Sequence, residues 1–180
     1  MLAVREVRRD EQLVLAADRH QLQRFRPARD HAVQRELRRL AAILLAGANA
    51  TVIGKRLKLS TQDSLRLDVM LAADPAIDIA GGPRAWRAGI YRLGGGLYAD
   101  RLLLAAEVPG DWQAALAMAR TWTPPELPVS GGDALKLGLK PGPRVGALIE
   151  AVEQWWIAGD FTADRAACLA ELERLVRVSP

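Results

Sequence analysis

At 180 residues and 19.6 kDa, the chain has room for one ordinary domain or two small ones. Half of it is hydrophobic (50%) and 26% is charged, which permits a sizeable core and excludes disorder for most of the length. Cys168 is the only cysteine, so a disulfide framework is excluded. No apolar run approaches the roughly 20 residues that cross a bilayer. The N-terminus, Met1 to Arg9, is charged rather than signal-like, so a soluble, cytoplasmic protein with no membrane partner is expected. The net charge is +4. Residues 1–40 hold ten arginines and six acids, while 41–180 balance at fifteen against fifteen. The planar arginine fork suits phosphate, although an excess this modest is also what a solvated Arg/Glu helix face gives.

In chain order, helical periodicity dominates and no alternating strand pattern occurs. Over 31–46 the apolar set is Val33, Leu37, Leu40, Ile43 and Leu44, with Gly47 and Asn49 as the stop. A short basic helix around 49–58 ends in Lys55, Arg56, Leu57 and Lys58. Ser60 caps the next, about 61–72, with Asp63 three residues on and Leu65, Leu67 and Val69 apolar; it stops before Asp74-Pro75. Helices follow at about 84–93 and 97–107, parted by Gly94-Gly95-Gly96, which reads as a turn rather than a nucleotide cradle. Asp111 caps a helix reaching about Trp122, with Trp112 and Trp122 as packing anchors.

The run Thr123-Pro124-Pro125-Glu126-Leu127-Pro128 is an extended connector. Beyond it, Ser130 starts a short helix to Leu137, and Pro141-Gly142-Pro143 turns into a long one. That long helix has Val145, Leu148, Ile149, Val152, Trp155 and Trp156 on a single apolar face. Gly159 ends it, Thr162 caps the last helix, and Cys168, Leu169, Leu172, Leu175 and Val176 form the buried stripe. The expected fold is all-α, an orthogonal helical body over 33–122 and a small helical tail over 129–180. The Arg-rich segment 1–32 stands apart.

Catalytic constellations are sparse. Metal-assisted transfer needs converging carboxylates. The only acidic pair two residues apart, Glu171 and Glu173, diverges by about 200° on a helix. His20 and His31 have no ligand cluster, Cys168 reads as a small core residue, and neither a nucleophile elbow nor a phosphate-loop lysine is present. No catalytic residue or metal site is assigned.

Binding signals are better. From Lys136 to Gly146 a helix ends, a Pro-Gly-Pro turn follows and a new helix begins, with Lys136, Lys140 and Arg144 around it. A helix start with its positive dipole end suits a phosphate, and Gly142 would let the backbone come close. A merely structural hairpin with Pro143 in the first turn fits equally well. Trp86 lies between Arg84 and Arg87, a combination that can clamp nucleic acid, although core packing with snorkelling arginines is the stronger reading.

The stretch Pro128 to Ile149, continued by Glu153-Gln-Trp-Trp-Ile-Ala-Gly-Asp-Phe161, resembles the C-terminal part of bacterial CCA-adding tRNA nucleotidyltransferases and the related poly(A) polymerases, most closely the alphaproteobacterial form. Arg56-Leu-Lys-Leu-Ser60, Ile90-Tyr-Arg-Leu-Gly94 and Asp100-Arg-Leu-Leu-Leu104 look like that family's helical body, and Trp122-Thr-Pro-Pro125 like its connector. The likeness runs from about 33 to 177. It implies a tRNA- or RNA-binding body and tail, partnered by a separate nucleotidyltransferase head that would carry the magnesium; this chain holds no cofactor. None of the head's carboxylates can be placed here, so the chain alone is expected to be inactive in nucleotide transfer. Lys55, Arg56 and Lys58, with Arg84, Arg87 and Arg92, are further RNA-contact candidates. The alternative is a headless helical adaptor that binds a protein through an Ala/Leu/Trp surface.

Overall fold

The computed structural model describes residues 31–44, 48–72, 77–105 and 110–178, without the side chains of 31–34. The Arg-rich segment up to residue 30, His20, Gly47, Asp74-Pro75 and Pro109 lie outside the described residues, as do the side chains of His31 and Val33. Among the described residues there are nine helices and no strand, so the fold is all-α. The chain divides into two compact units, Met1–Trp122 and Thr123–Pro180.

In the first unit, α1 (His31–Ile43), α2 (Ala50–Leu57) and α3 (Thr61–Leu71) enclose one core. It consists of Leu37, Ala41, Ala50, Leu67, Met70 and Leu71. Helix α1 stops at Ile43, which is 81% exposed instead of continuing the predicted stripe; Leu37 and Ala41 make the contact. Asn49 starts a helix rather than stopping one. Its side chain accepts the Val52 N–H at 3.0 Å, supplying a partner that a helix start lacks. Ser60 caps α3 as expected, its Oγ accepting the Asp63 N–H at 3.0 Å.

Helices α4 (Gly82–Leu93), α5 (Gly95–Leu104) and α6 (Trp112–Thr121) surround a second core. Ile79, Trp86, Ile90, Tyr98, Leu102, Ala115 and Ala119 fill it. Trp86 is 5% exposed and donates Nε1–H to the Ile79 carbonyl at 2.9 Å, so it is core and not a clamp. Burial, and then Asp78, push the Tyr98 phenol up to about 12.

The triple glycine breaks the helix at one residue. Gly94, at φ 78°, closes α4 by donating to Ile90 O and opens α5 by accepting from Tyr98 N–H. Gly95 already belongs to α5, and a Cβ there would collide with the Ala119 carbonyl, so the glycine sets the α5–α6 approach. Asp111 caps α6 through the Ala114 N–H at 3.0 Å. Trp112 at its first position is 47% exposed, not a packing anchor, whereas Trp122 packs on the core.

Across the first unit, Asp100 on α5 is 1% exposed and accepts from Arg38 of α1 at 2.7 Å and from Arg66 of α3. This buried bridge ties the three helices together.

The second unit comprises α7 (Gly131–Lys136), α8 (Pro143–Ala158) and α9 (Arg165–Val178). Leu148, Val152, Trp156 and Ile157 of α8 are buried, as are Cys168 and Leu172 of α9. The expected apolar face of α8 is right in direction and one tryptophan too wide, because Trp155 is 40% exposed. Thr162 does not cap α9. Its Oγ1 donates back to Gly159 O at 2.8 Å, and Asp164 Oδ1 accepts the Ala167 N–H instead at 2.8 Å. The helix begins three residues after Thr162, beyond the reach of its hydroxyl.

Candidate nucleic-acid interface

In the second unit the candidate residues lie at the junction of α7 and α8. One carboxylate organises the approach to it. Asp133, 6% exposed, accepts the Ser130 N–H at 2.9 Å and the Ser130 hydroxyl at 3.1 Å on Oδ2, and Arg165 Nη2 at 2.6 Å on Oδ1. Arg165 Nη1 also donates to the Pro128 carbonyl, so the same guanidinium ties the connector to α9. The Arg165 hydrogen bond, then the Ser130 N–H, hold the Asp133 carboxyl below its ordinary value.

The sign of the pH effect follows. A carboxyl whose folded pKa is depressed adds stability above its unfolded value of about 3.9, and this is lost as pH falls through the folded pKa. Acidifying from pH 7 to pH 3 should therefore lower the melting temperature of wild-type chain more than that of D133N. Glu171, lowered by Arg174, is common to both proteins and cancels. Thermal circular dichroism at the two pH values checks this; equal acid losses would contradict it.

Helix α7 is only six residues long, and Gly138 at φ 89° follows its end. Lys140, Pro141, Gly142 and Pro143 are then all exposed. Gly142 is extended, with φ 161°, and a Cβ there would meet nothing within 4 Å. Neither conformation nor packing therefore requires glycine at this position. The start of α8 offers few amide donors, since Pro143 has no N–H and Val145 N–H already donates to Gly142 O at 3.1 Å. What remains is side-chain charge. No acidic residue lies in the first turn of α8, and none occurs between Asp133 and Glu150.

The three cations differ in how far they are committed within the protein. Lys136 Nζ is 3.9 Å from Asp133 Oδ1, and its side chain is 80% exposed, a pairing worth little in water. Arg144 Nη2 is 3.5 Å from Val176 O, at the outer limit of a hydrogen bond to the last turn of α9. Such a contact suits the negative end of a helix dipole. Lys140 has no ion-pair partner among the described residues.

In the first unit, Lys55, Arg56 and Lys58 are exposed at the end of α2. Lys58 is the C-cap, at φ 55°, and donates its N–H to Gly54 O and Lys55 O. Their placement also serves the helix, because cations in a last turn complement its dipole. Arg84 and Arg92 on α4 are exposed and Arg87 is half-buried. The α2 and α4 groups sit over different cores and form two separate sets.

Sequence reasoning missed the Arg38–Asp100–Arg66 bridge. Its partners stand 62 and 34 residues from Asp100, so no local spacing signals it. Among the described residues no three His, Cys, Asp or Glu side chains group as metal ligands, and no helix is long and apolar enough to span a membrane. Glu171 pairs with Arg174 at 2.7 Å and Glu173 with Arg177 at 3.9 Å. Cys168 is fully buried, and its thiol is pushed up by burial and by Asp164, which disfavours the thiolate. No family model matches the chain, and neither the curated proteins nor the solved structures contain a match to it.

Proposed function

We propose that this chain is an RNA-binding body-and-tail module of the kind found in CCA-adding tRNA nucleotidyltransferases and poly(A) polymerases, acting with a catalytic head. The single observation that supports the reading is the α7–α8 junction. Lys136, Lys140 and Arg144 are exposed around one turn, with no acidic residue in the adjoining helix start. Cations of this kind bind phosphate through charge and position the RNA without reading its bases.

K140A/R144A should weaken tRNA binding roughly equally across tRNA sequences. It should also flatten the log–log salt dependence by about 0.7–0.9 for each phosphate no longer neutralised. Helix content should not change, since exposed charges contribute little to stability. Filter binding at several salt concentrations, with circular dichroism as the folding control, makes the test. Unchanged affinity and slope would leave the turn a structural hairpin. An adaptor would instead bind a protein through exposed apolar side chains such as Leu135 and Trp155, 42% and 40% exposed, and show no RNA affinity.

A further inference from the structure

The two units differ in charge. Residues 31–122 hold twelve basic and eight acidic side chains, whereas 123–180 hold six basic and eight acidic. The tail that contains the basic turn is therefore net acidic, and the body is net basic. Several body carboxylates are also committed to local structure. Glu36 pairs with Arg39, Asp100 lies in the buried bridge, Asp63 accepts from the Ser60 hydroxyl, and Asp78 and Asp111 accept from turn or helix-start amides.

Within the body, α4 carries the most arginines of any helix without an acid, whereas two of the three cations at the end of α2 are lysines, which lack the planar fork. The twelve residues of α4, Gly82–Leu93, include Arg84, Arg87 and Arg92 and no acid. At 100° per residue, Arg84, Arg87, Ala88 and Tyr91 lie within an arc of about 100°, with Arg92 about 40° beyond its edge. The opposite side is the packed one, where Trp86, Gly89 and Ile90 are buried. From Arg84 to Arg92 the axis advances about 12 Å. A row this long can meet successive phosphates of one RNA strand. Each guanidinium has five donors, so bonds within the protein still leave capacity for phosphate oxygens.

We infer that the outer face of α4, formed by Arg84, Arg87 and Arg92 with Tyr91 among them, is a platform for the phosphates of one RNA strand. It supplies more of the salt-dependent affinity than the tail turn does. This deepens the RNA-binding reading and rests on it.

The test uses the full chain and fluorescence anisotropy of a labelled tRNA transcript at four salt concentrations. R84A/R87A/R92A should flatten the log–log salt slope by about 2–3. Alanine keeps the helix intact, and circular dichroism checks this. R84K/R87K/R92K retains three point charges and should keep most of the slope, which separates lost charge from lost folding. K55A/R56A/K58A removes equal charge from α2 and should have a smaller effect. Equal losses in the α4 and α2 triples would make the effect one of net charge and overturn the assignment. So would an α4 triple no weaker than K140A/R144A. Wild-type chain that fails to bind tRNA would instead remove the RNA-binding reading itself, and this inference with it.

Discussion

Replacing Asp100 with alanine should destabilise the first unit by about 3–5 kcal/mol, the range for breaking a buried ion pair from one side. The side chain of Asp100 is 1% exposed and that of Arg66 is 6%, so the guanidinium left behind cannot rehydrate without opening the interface between α3 and α5. Arg38 is better placed, because 26% of its side chain reaches solvent. Domains of this size carry about 5–15 kcal/mol in all, and each kcal/mol shifts the melting point by about 4–8 °C.

The bridge is not itself a strong source of stability, because desolvation offsets much of its Coulomb attraction. Among the described residues, Arg66 Nε is also buried with no hydrogen-bond partner. The double variant R66M/D100L should accordingly lose less than D100A alone, since it leaves no buried charge from the α3–α5 pair. Urea unfolding of the two variants checks the order. A D100A protein within about 1 kcal/mol of wild type would contradict the buried-bridge account.

The adjacent tryptophans of α8 should respond very differently to truncation. Trp156 is 2% exposed, donates Nε1–H to Ala163 O at 3.0 Å and meets the Phe161 ring edge-on, centroids 5.0 Å apart at 88°. W156A removes a large core side chain and should cost the second unit about 3–5 kcal/mol. W156F keeps most of the volume and should lose the indole hydrogen bond, about 0.5–1.5 kcal/mol, with a smaller packing loss. Phe161 is held at φ 63°, a conformation costing roughly 1–3 kcal/mol that packing against Trp156 helps to offset. Trp155 is 40% exposed, so W155A should cost well under half as much as W156A. Denaturant titration of the three variants measures these differences. Equal losses for W155A and W156A would overturn the packing description.

What could be read from the sequence alone is what short-range chemistry decides. Ser60 and Asp111 cap helices where expected because a side chain needs to reach only two or three residues to satisfy an orphan N–H. The connector starting at Thr123 stays extended because closely spaced prolines remove donors and restrict the residues before them. The exposed lysines and arginines of the candidate interface were legible for a similar reason: burying a charge is costly, so most stay in water.

Only tertiary packing decided the rest. Trp155 and Trp156 are neighbours on one predicted stripe, and a rotation of about 100° puts one in the core and leaves the other at its rim. Gly94 breaks the helix at a single residue, while Gly95 already lies in α5 and lets α6 pass close by. Asp100 became a buried hub only when α1 and α3 brought Arg38 and Arg66 to it. Arg144 looked equivalent to Lys140 until folding brought the last turn of α9 to it. The contacts of Gly95, Asp100 and Arg144 all lie across a helix interface, and local sequence has no access to the distance across it.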